Sequence, residues 1–189
     1  MLLREISISC HFYVRINDMA ENSILLRLAV PDDALIVARL HTQSWQAAYC
    51  DILPTTYLLE KVPAEHASHW KNYMARPAKA RGLVMLAERE GTPVGFASAE
   101  NVDDSPHGIL LDCLHVLADY QGCGAGKLMI GAVRAWTRER NQRLMHLYVL
   151  EDNVRAIVFY ERNGWRFAGT KSSYIDATPV IDRRYIIDA

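Results

Sequence analysis

The stretch Gln121-Gly-Cys-Gly-Ala-Gly126, followed by Lys127, is the first place where residue types and spacing can do chemistry. It lies between a strand pattern ending at Val116 and a helical run with Leu128, Met129, Ala132, Val133 and Trp136 on one face. Unpaired amides and the dipole at such a helix start make a site for phosphate, and small residues let the anion reach the backbone. Leu128 follows Gly126-Lys127 where a Walker loop needs Ser or Thr, so no hydroxyl is offered to Mg²⁺ and a nucleotide triphosphatase is disfavoured. Gly122, Gly124 and Gly126 are spaced G-x-G-x-G in mid-chain, not G-x-G-x-x-G in an early βαβ unit, which disfavours a dinucleotide site.

Other side chains offer less. His66 and His69 are spaced H-x-x-H on a helix, with His41 elsewhere, but no carboxylate or Cys completes a ligand set, so no metal site is expected. Cys123 sits inside the Gly-rich turn with no His placed to serve it, and is a small turn residue rather than a nucleophile. Trp45 and Tyr49 lie four apart on a helix, as core packing or as an aromatic wall.

The elements that position these residues follow from periodicity. Ile24 to Val30 alternates as a strand, and Asp32-Asp33 opens an amphipathic helix that carries Trp45. Helical segments run from Thr55 to Met74 with a break expected at Pro63, and Arg76-Pro77 ends them. Leu83–Glu88 and Val94–Ala99 flank Glu90-Gly-Thr-Pro93 as a hairpin, and a third strand covers 108–116. After the Gly-rich turn and its helix come a strand over 144–150 and a short helix over 153–162 stopped by Gly164. A strand pair over 165–169 and 183–187 closes the chain. The order implies one mixed α/β domain over 24–187, with 1–23 as an N-terminal extension in which Met19 is a second start candidate.

On these residues the sequence resembles the GNAT superfamily of acyl-CoA-dependent N-acyltransferases. Gln121-Gly-Cys-Gly124-Ala-Gly126 matches its Q/R-x-x-G-x-G/A signature, and Leu114-His-Val116 is similar to the end of its fourth strand. Leu147-Tyr-Val149, then Asn153, Ala156, Phe159-Tyr160 and Asn163-Gly164-Trp165, resemble its second motif. The resemblance implies a mostly antiparallel twisted sheet splayed at the fourth strand and acetyl-CoA as cosubstrate. It places pantetheine on Val116, Asn153 and Ala156, and pyrophosphate on the amides of Gln121, Gly122, Cys123, Gly124, Ala125 and Gly126. It also implies an oxyanion donor at the amide of Leu117 or its neighbour, Tyr160 as proton donor to the CoA sulfur, and Trp45 and Tyr49 beside the acceptor. Asn153 also suits a helix N-cap.

The base is where the sequence departs from the family. Leu110 stands at the usual Glu position six residues before Val116; Asp112, on the same face if no bulge intervenes, and Glu100 are the candidates, beside a water chain with no single base. Deprotonation matters, since an amine of pKa about 10.4 is only about 0.1% neutral at pH 7.4. The expected reaction is direct acetyl transfer to a primary amine of a small molecule or peptide N-terminus in a ternary complex. A non-catalytic acyl-CoA-binding module is the alternative that the missing Glu prompts, and a toxin-like or protein-modifying role ranks below both.

Composition bounds the setting. In 189 residues, 21 Lys and Arg against 22 Asp and Glu leave a formal charge of −1, which offers no basic surface for nucleic acid or anionic membrane. No apolar run is long enough to span a bilayer, Arg4 and Glu5 interrupt any signal-peptide core, and Cys10, Cys50, Cys113 and Cys123 lack a disulfide framework. A cytoplasmic protein with reduced thiols is expected; a homodimer is expected from the resemblance alone.

Overall fold

The computed structural model describes residues 23–102 and 105–189, so the N-terminal extension up to residue 22 lies outside the described residues. The strands are β1 (Ile24–Leu28), β2 (Leu83–Arg89), β3 (Thr92–Glu100), β4 (Ile109–Val116), β5 (Leu144–Leu150), β6 (Arg166–Ile175) and β7 (Thr178–Asp188). The helices are α1 (Ala34–Ala48), α2 (Val62–Met74), α3 (Ala125–Glu139) and α4 (Val154–Arg162). The strands form one sheet in the order β1-β2-β3-β4-β5-β7-β6. Every neighbouring pair is antiparallel except β4 and β5.

That exception makes the site. β4 and β5 are registered only at Ile109↔Met145 and Leu110↔His146, and beyond Leu110 they diverge. From Leu111 to Val116 one edge of β4 therefore lacks its strand partner, leaving backbone donors and acceptors on the wall of a gap.

Alternation along β2 shows how the two faces are covered. Leu83, Met85 and Ala87 pack with Met129, Val133, Ile157 and Tyr160 of α3 and α4. Val84 and Leu86 pack with Val37, Leu40, Trp70 and Met74 of α1 and α2. The period of two in β2 meeting the 3.6 period of four helices gives a three-layer arrangement, with α3 and α4 on one face and α1 and α2 on the other.

Two expectations change. Pro63 does not break the helix: a π-helical turn over Tyr57–Lys61 runs into α2, with Pro63 in its first turn. Pro lacks the N–H that an α-turn would require, and the wider turn passes over that missing bond. The closing strands are longer than 165–169 and 183–187, because β6 and β7 form a hairpin that reverses near Asp176, itself at φ 51°. Without Gly in that turn, the reversal carries no strong sequence mark.

Candidate active site

The Gly-rich turn is built as the sequence leads one to expect. Gly122 and Gly124 take φ of 85° and 88°, and Gly124 is the N-cap of α3. The first bond of the helix runs from Leu128 N to Gly124 O at 3.0 Å, so the amides of Ala125, Gly126 and Lys127 precede any helical acceptor. A Cβ on Gly122 or Gly124 would meet no atom within 4 Å, which leaves the space beside the turn open to an anion. Gly126 serves packing instead: a Cβ there would stand 3.0 Å from Phe159 Cζ, so its absence lets α3 start against α4.

The gap between β4 and β5 continues from this turn. The Leu117 amide, singled out as an oxyanion donor, is already bonded to Val94 O at 2.9 Å. Backbone direction alternates along a strand, so it is the neighbouring Val116 amide that turns toward the gap. Gln121 Nε2 donates to Val116 O at 3.0 Å, which ties the turn to the end of β4.

Tyr160, on α4, is buried with only 8% of its surface exposed, and among the described residues its hydroxyl has no hydrogen-bond partner. Burial, and then Tyr49 and Cys113 beside it, raise its pKa, so it holds its proton at neutral pH. Asn153 Oδ1 caps α4 by accepting from Ala156 N at 3.1 Å, and the same side chain lies near the Tyr49 phenol. This confirms the capping role and engages Ala156 through its backbone. Burial pushes the Tyr49 phenol up to about 12, with Asn153 opposing.

β4 carries a bulge that the sequence does not reveal. The register runs Ser98↔Cys113 and then Ala99↔Leu111, so Asp112 is the extra residue. Strict alternation would set Asp112 and Cys113 on opposite faces. With the bulge, Cys113 packs on the α1–α2 side, its thiol donates to Asp112 Oδ2 at 3.5 Å, and Ser98 Oγ lies 3.4 Å from the same oxygen. Glu100 is next to it, near the Tyr73 hydroxyl, which accepts from Gly82 N at 3.0 Å. Asp112 is open to water yet crowded by the cleft walls. That crowding, then the charge of Glu100, raises its pKa.

A second cluster backs this one. His41 and His66 stack in parallel with centroids 3.7 Å apart, and His115, from β4, lies 4.7 Å from His41 and 5.3 Å from Phe96. Trp45 meets His66 and Tyr49 edge-on at 5.0 and 5.1 Å, half-buried where α1 borders the gap. His69 is exposed and lies against Trp70.

Contrary to the expectation that no Cys joins the histidines, ligand atoms of His41, Cys113 and His115 all lie within 4.8 Å of one another. The bulge that turns Cys113 to this face is the reason. Yet Trp70 Nε1 donates to His41 Nδ1 at 3.1 Å, so the neutral ring carries its proton on Nε2 and keeps no lone pair for a metal. Burial also holds the Cys113 thiol well above its ordinary pKa.

A helix start with unpaired amides thus follows directly on a one-sided strand edge, and an unpartnered phenol packs in the same core cluster. Residues 42–165 match the Acetyltransferase (GNAT) family. The chain belongs to that family. It is 25% identical over 140 residues to the uncharacterised N-acetyltransferase YuaI of Bacillus subtilis, covering 73% of this chain and 78% of that protein. Over 153 residues it is 29% identical to the spermine/spermidine N(1)-acetyltransferase of Bacillus subtilis, covering 78% and 90%. The fold superposes on the PaiA N-acetyltransferase of Thermoplasma acidophilum, solved with coenzyme A, at a TM-score of 0.68 and 20% identity, over 85% of this chain and 98% of that one. The protein is accordingly an acyltransferase of the GNAT type, and its open turn and one-sided strand edge fit acetyl-CoA as cosubstrate. No helix is long and apolar enough to cross a membrane among the described residues.

Proposed function

We propose that this protein transfers an acetyl group from acetyl-CoA to a primary amine by direct attack in a ternary complex. The observation that carries the reading is the α3 N-terminus following on the unpaired edge of β4, with Tyr160 of α4 in the same core cluster as Val116 and close enough to Cys113 of β4 to feel its charge. Phosphates held at α3 bring the cosubstrate in from the α3–α4 face, so the amine approaches from the α1–α2 face.

Acetyl-CoA supplies an activated acyl group on a thiol leaving group. The residues do the rest. Val116 N–H donates to the carbonyl oxygen as negative charge builds there. The amine lone pair forms the C–N bond, the C–S bond breaks, and Tyr160 donates its proton to the departing sulfur. Asp112 and Glu100 make the amine's approach negative, and Trp45 and Tyr49 offer aromatic faces, so a cationic acceptor is drawn in. Among the relatives, one is a spermine/spermidine acetyltransferase, and a polyamine meets these requirements.

The test is thermal denaturation with acetyl-CoA, CoA, NAD and ATP in parallel. At 100 times Kd a ligand adds about 2.7 kcal/mol, which is about 5–10 °C for a domain of this size. A shift with acetyl-CoA and CoA alone, abolished in Gly124→Glu, supports the reading. Unchanged CoA binding in that variant removes the turn from the site.

A further inference from the structure

We propose that His115 is the group that takes the proton from the attacking amine, with Trp70 and His41 as the positioning pair behind it. The assignment rests on the acetyl-transfer reading above, and starts from where β4 puts this ring. Val116 turns its amide into the gap, and His115, one residue earlier, turns its side chain to the α1–α2 face, where it packs on Phe96 and His41. That is the face from which the amine comes. Neither ring nitrogen of His115 has a hydrogen-bond partner among the described residues, and neither is sealed from solvent. A half-buried imidazole with unused nitrogens beside a reacting centre has its acceptor capacity free.

The groups facing it are His41 from α1, Phe96 from β3 and Cys113 from its own strand, with His66 of α2 behind His41. His41 and His66 must both be neutral to stack at 3.7 Å. Trp70 donates to His41 Nδ1, which fixes the tautomer, and Thr42 Oγ1 lies 3.1 Å from His66 Nδ1. Burial, then His66, lower the His115 pKa to about 3, so its lone pair is available throughout the neutral range. The negative charge growing on the carbonyl oxygen raises its proton affinity during the step.

The balance is closed. As the neutral amine forms its C–N bond, its N–H proton passes to His115. The sulfur leaves with the C–S electron pair and takes the Tyr160 proton, and cleft water returns the His115 proton to Tyr160. The products are the amide and CoA thiol. Asp112 and Glu100, the carboxylates expected to serve as base, are then the groups that hold the incoming cation. Cys113 is next to both sets of residues but sits behind the strand edge, fully buried, with its thiol turned to Asp112.

The experiment compares wild type, His115→Gln, Asp112→Asn and Trp70→Phe with spermidine and phenethylamine as acceptors, over pH 6 to 9. His115→Gln is expected to lower kcat by about 10²-fold across this whole range, with acetyl-CoA affinity retained. Trp70→Phe is expected to lower kcat with KM for acceptor and acetyl-CoA unchanged, a split that a purely structural indole would not give. A loss under about threefold in His115→Gln, together with collapse of kcat in Asp112→Asn, overturns the assignment and returns the base to Asp112. A second readout needs no acceptor: ring-nitrogen NMR of the wild-type protein with acetyl-CoA added. His115 signals that shift on binding support the role, and signals indifferent to bound acetyl-CoA overturn it. Failure of acetyl-CoA to bind at all is seen separately in the melting temperature and strikes the acetyl-transfer reading itself.

Discussion

At the scale of single residues, the cleft spends stability on function. Asp112 ionises beside Glu100 among walls that exclude part of its water, and its raised pKa means the folded state favours its neutral form. Above that pKa the charged side chain costs folding free energy, so removing the charge helps the fold. Asp112→Asn is expected to raise the melting temperature slightly, because solvent screens much of the charge at this exposed position, while raising KM for a cationic amine. Calorimetry and steady-state kinetics on the same preparation check both halves, and a fall in melting temperature would show that the side chain is structural. Tyr160 makes the complementary case. It is buried with an unused hydroxyl, so Tyr160→Phe keeps the ring packing and removes only the hydroxyl group. A kcat lower by about 10²-fold with an unchanged melting temperature is expected, and a loss below about threefold would return Tyr160 to packing.

At the scale of elements, Arg27 joins β1 to its neighbours. Its guanidinium bonds both oxygens of Asp33 at 2.6 and 2.9 Å and Glu88 of β2 at 2.7 Å, while Asp33 also accepts from Val30 N at 2.8 Å. The start of α1, β1 and β2 are thus held by one partly buried fork. The Arg27 bond lowers the Asp33 pKa below its unfolded value, so the pair stabilises above about pH 4 and its contribution is lost as pH falls through the folded value. Asp33→Ala is expected to cost about 2 kcal/mol at pH 7 and much less below pH 3, read from urea unfolding at both pH values. The sequence marks Asp33 as a helix start, but its partner 61 residues from Glu88 is a tertiary fact that periodicity does not contain. The same division runs through the molecule. The Gly-rich turn, Gly164 at φ 86° and the Glu90–Gly91 hairpin were legible because each needs a rare backbone conformation that few residues supply. The bulge at Asp112 was not, since Leu110 to His115 alternates acceptably in either register, and only pairing with β3 decides which residue is extra. With the bulge hidden, Cys113 and His115 could not be joined to His41, and the histidine cluster stayed out of sight although each member was in view.

At the scale of the whole molecule, that cluster sets how the fold answers pH. Burial, with neighbouring histidines adding to it, lowers the pKa of His41 far below its ordinary value and holds His66 at about 4 and His115 at about 3. An unfolded chain binds protons at these rings near pH 6.5, whereas the folded chain does not, so over that interval the unfolded state carries more protons. Stability is therefore full above about pH 6.5 and falls as pH drops toward 4, each ring contributing up to about 1.4 kcal/mol per pH unit. This window lies above the one in which the Arg27–Asp33 pair is lost, and the two can be read apart. Melting temperature is expected to fall steadily between pH 7 and 5 in wild type, and His66→Gln is expected to flatten the slope. Acetyl-CoA at saturation lifts the curve by binding only the folded state. Its effect on the slope is diagnostic. If the rings lie beside the reacting centre, thioester binding excludes further water from His115, holds it neutral to lower pH and steepens the acid limb. A parallel displacement of the two curves would mean that the cluster belongs to the α1–α2 core alone and that the amine side of the cleft lies elsewhere.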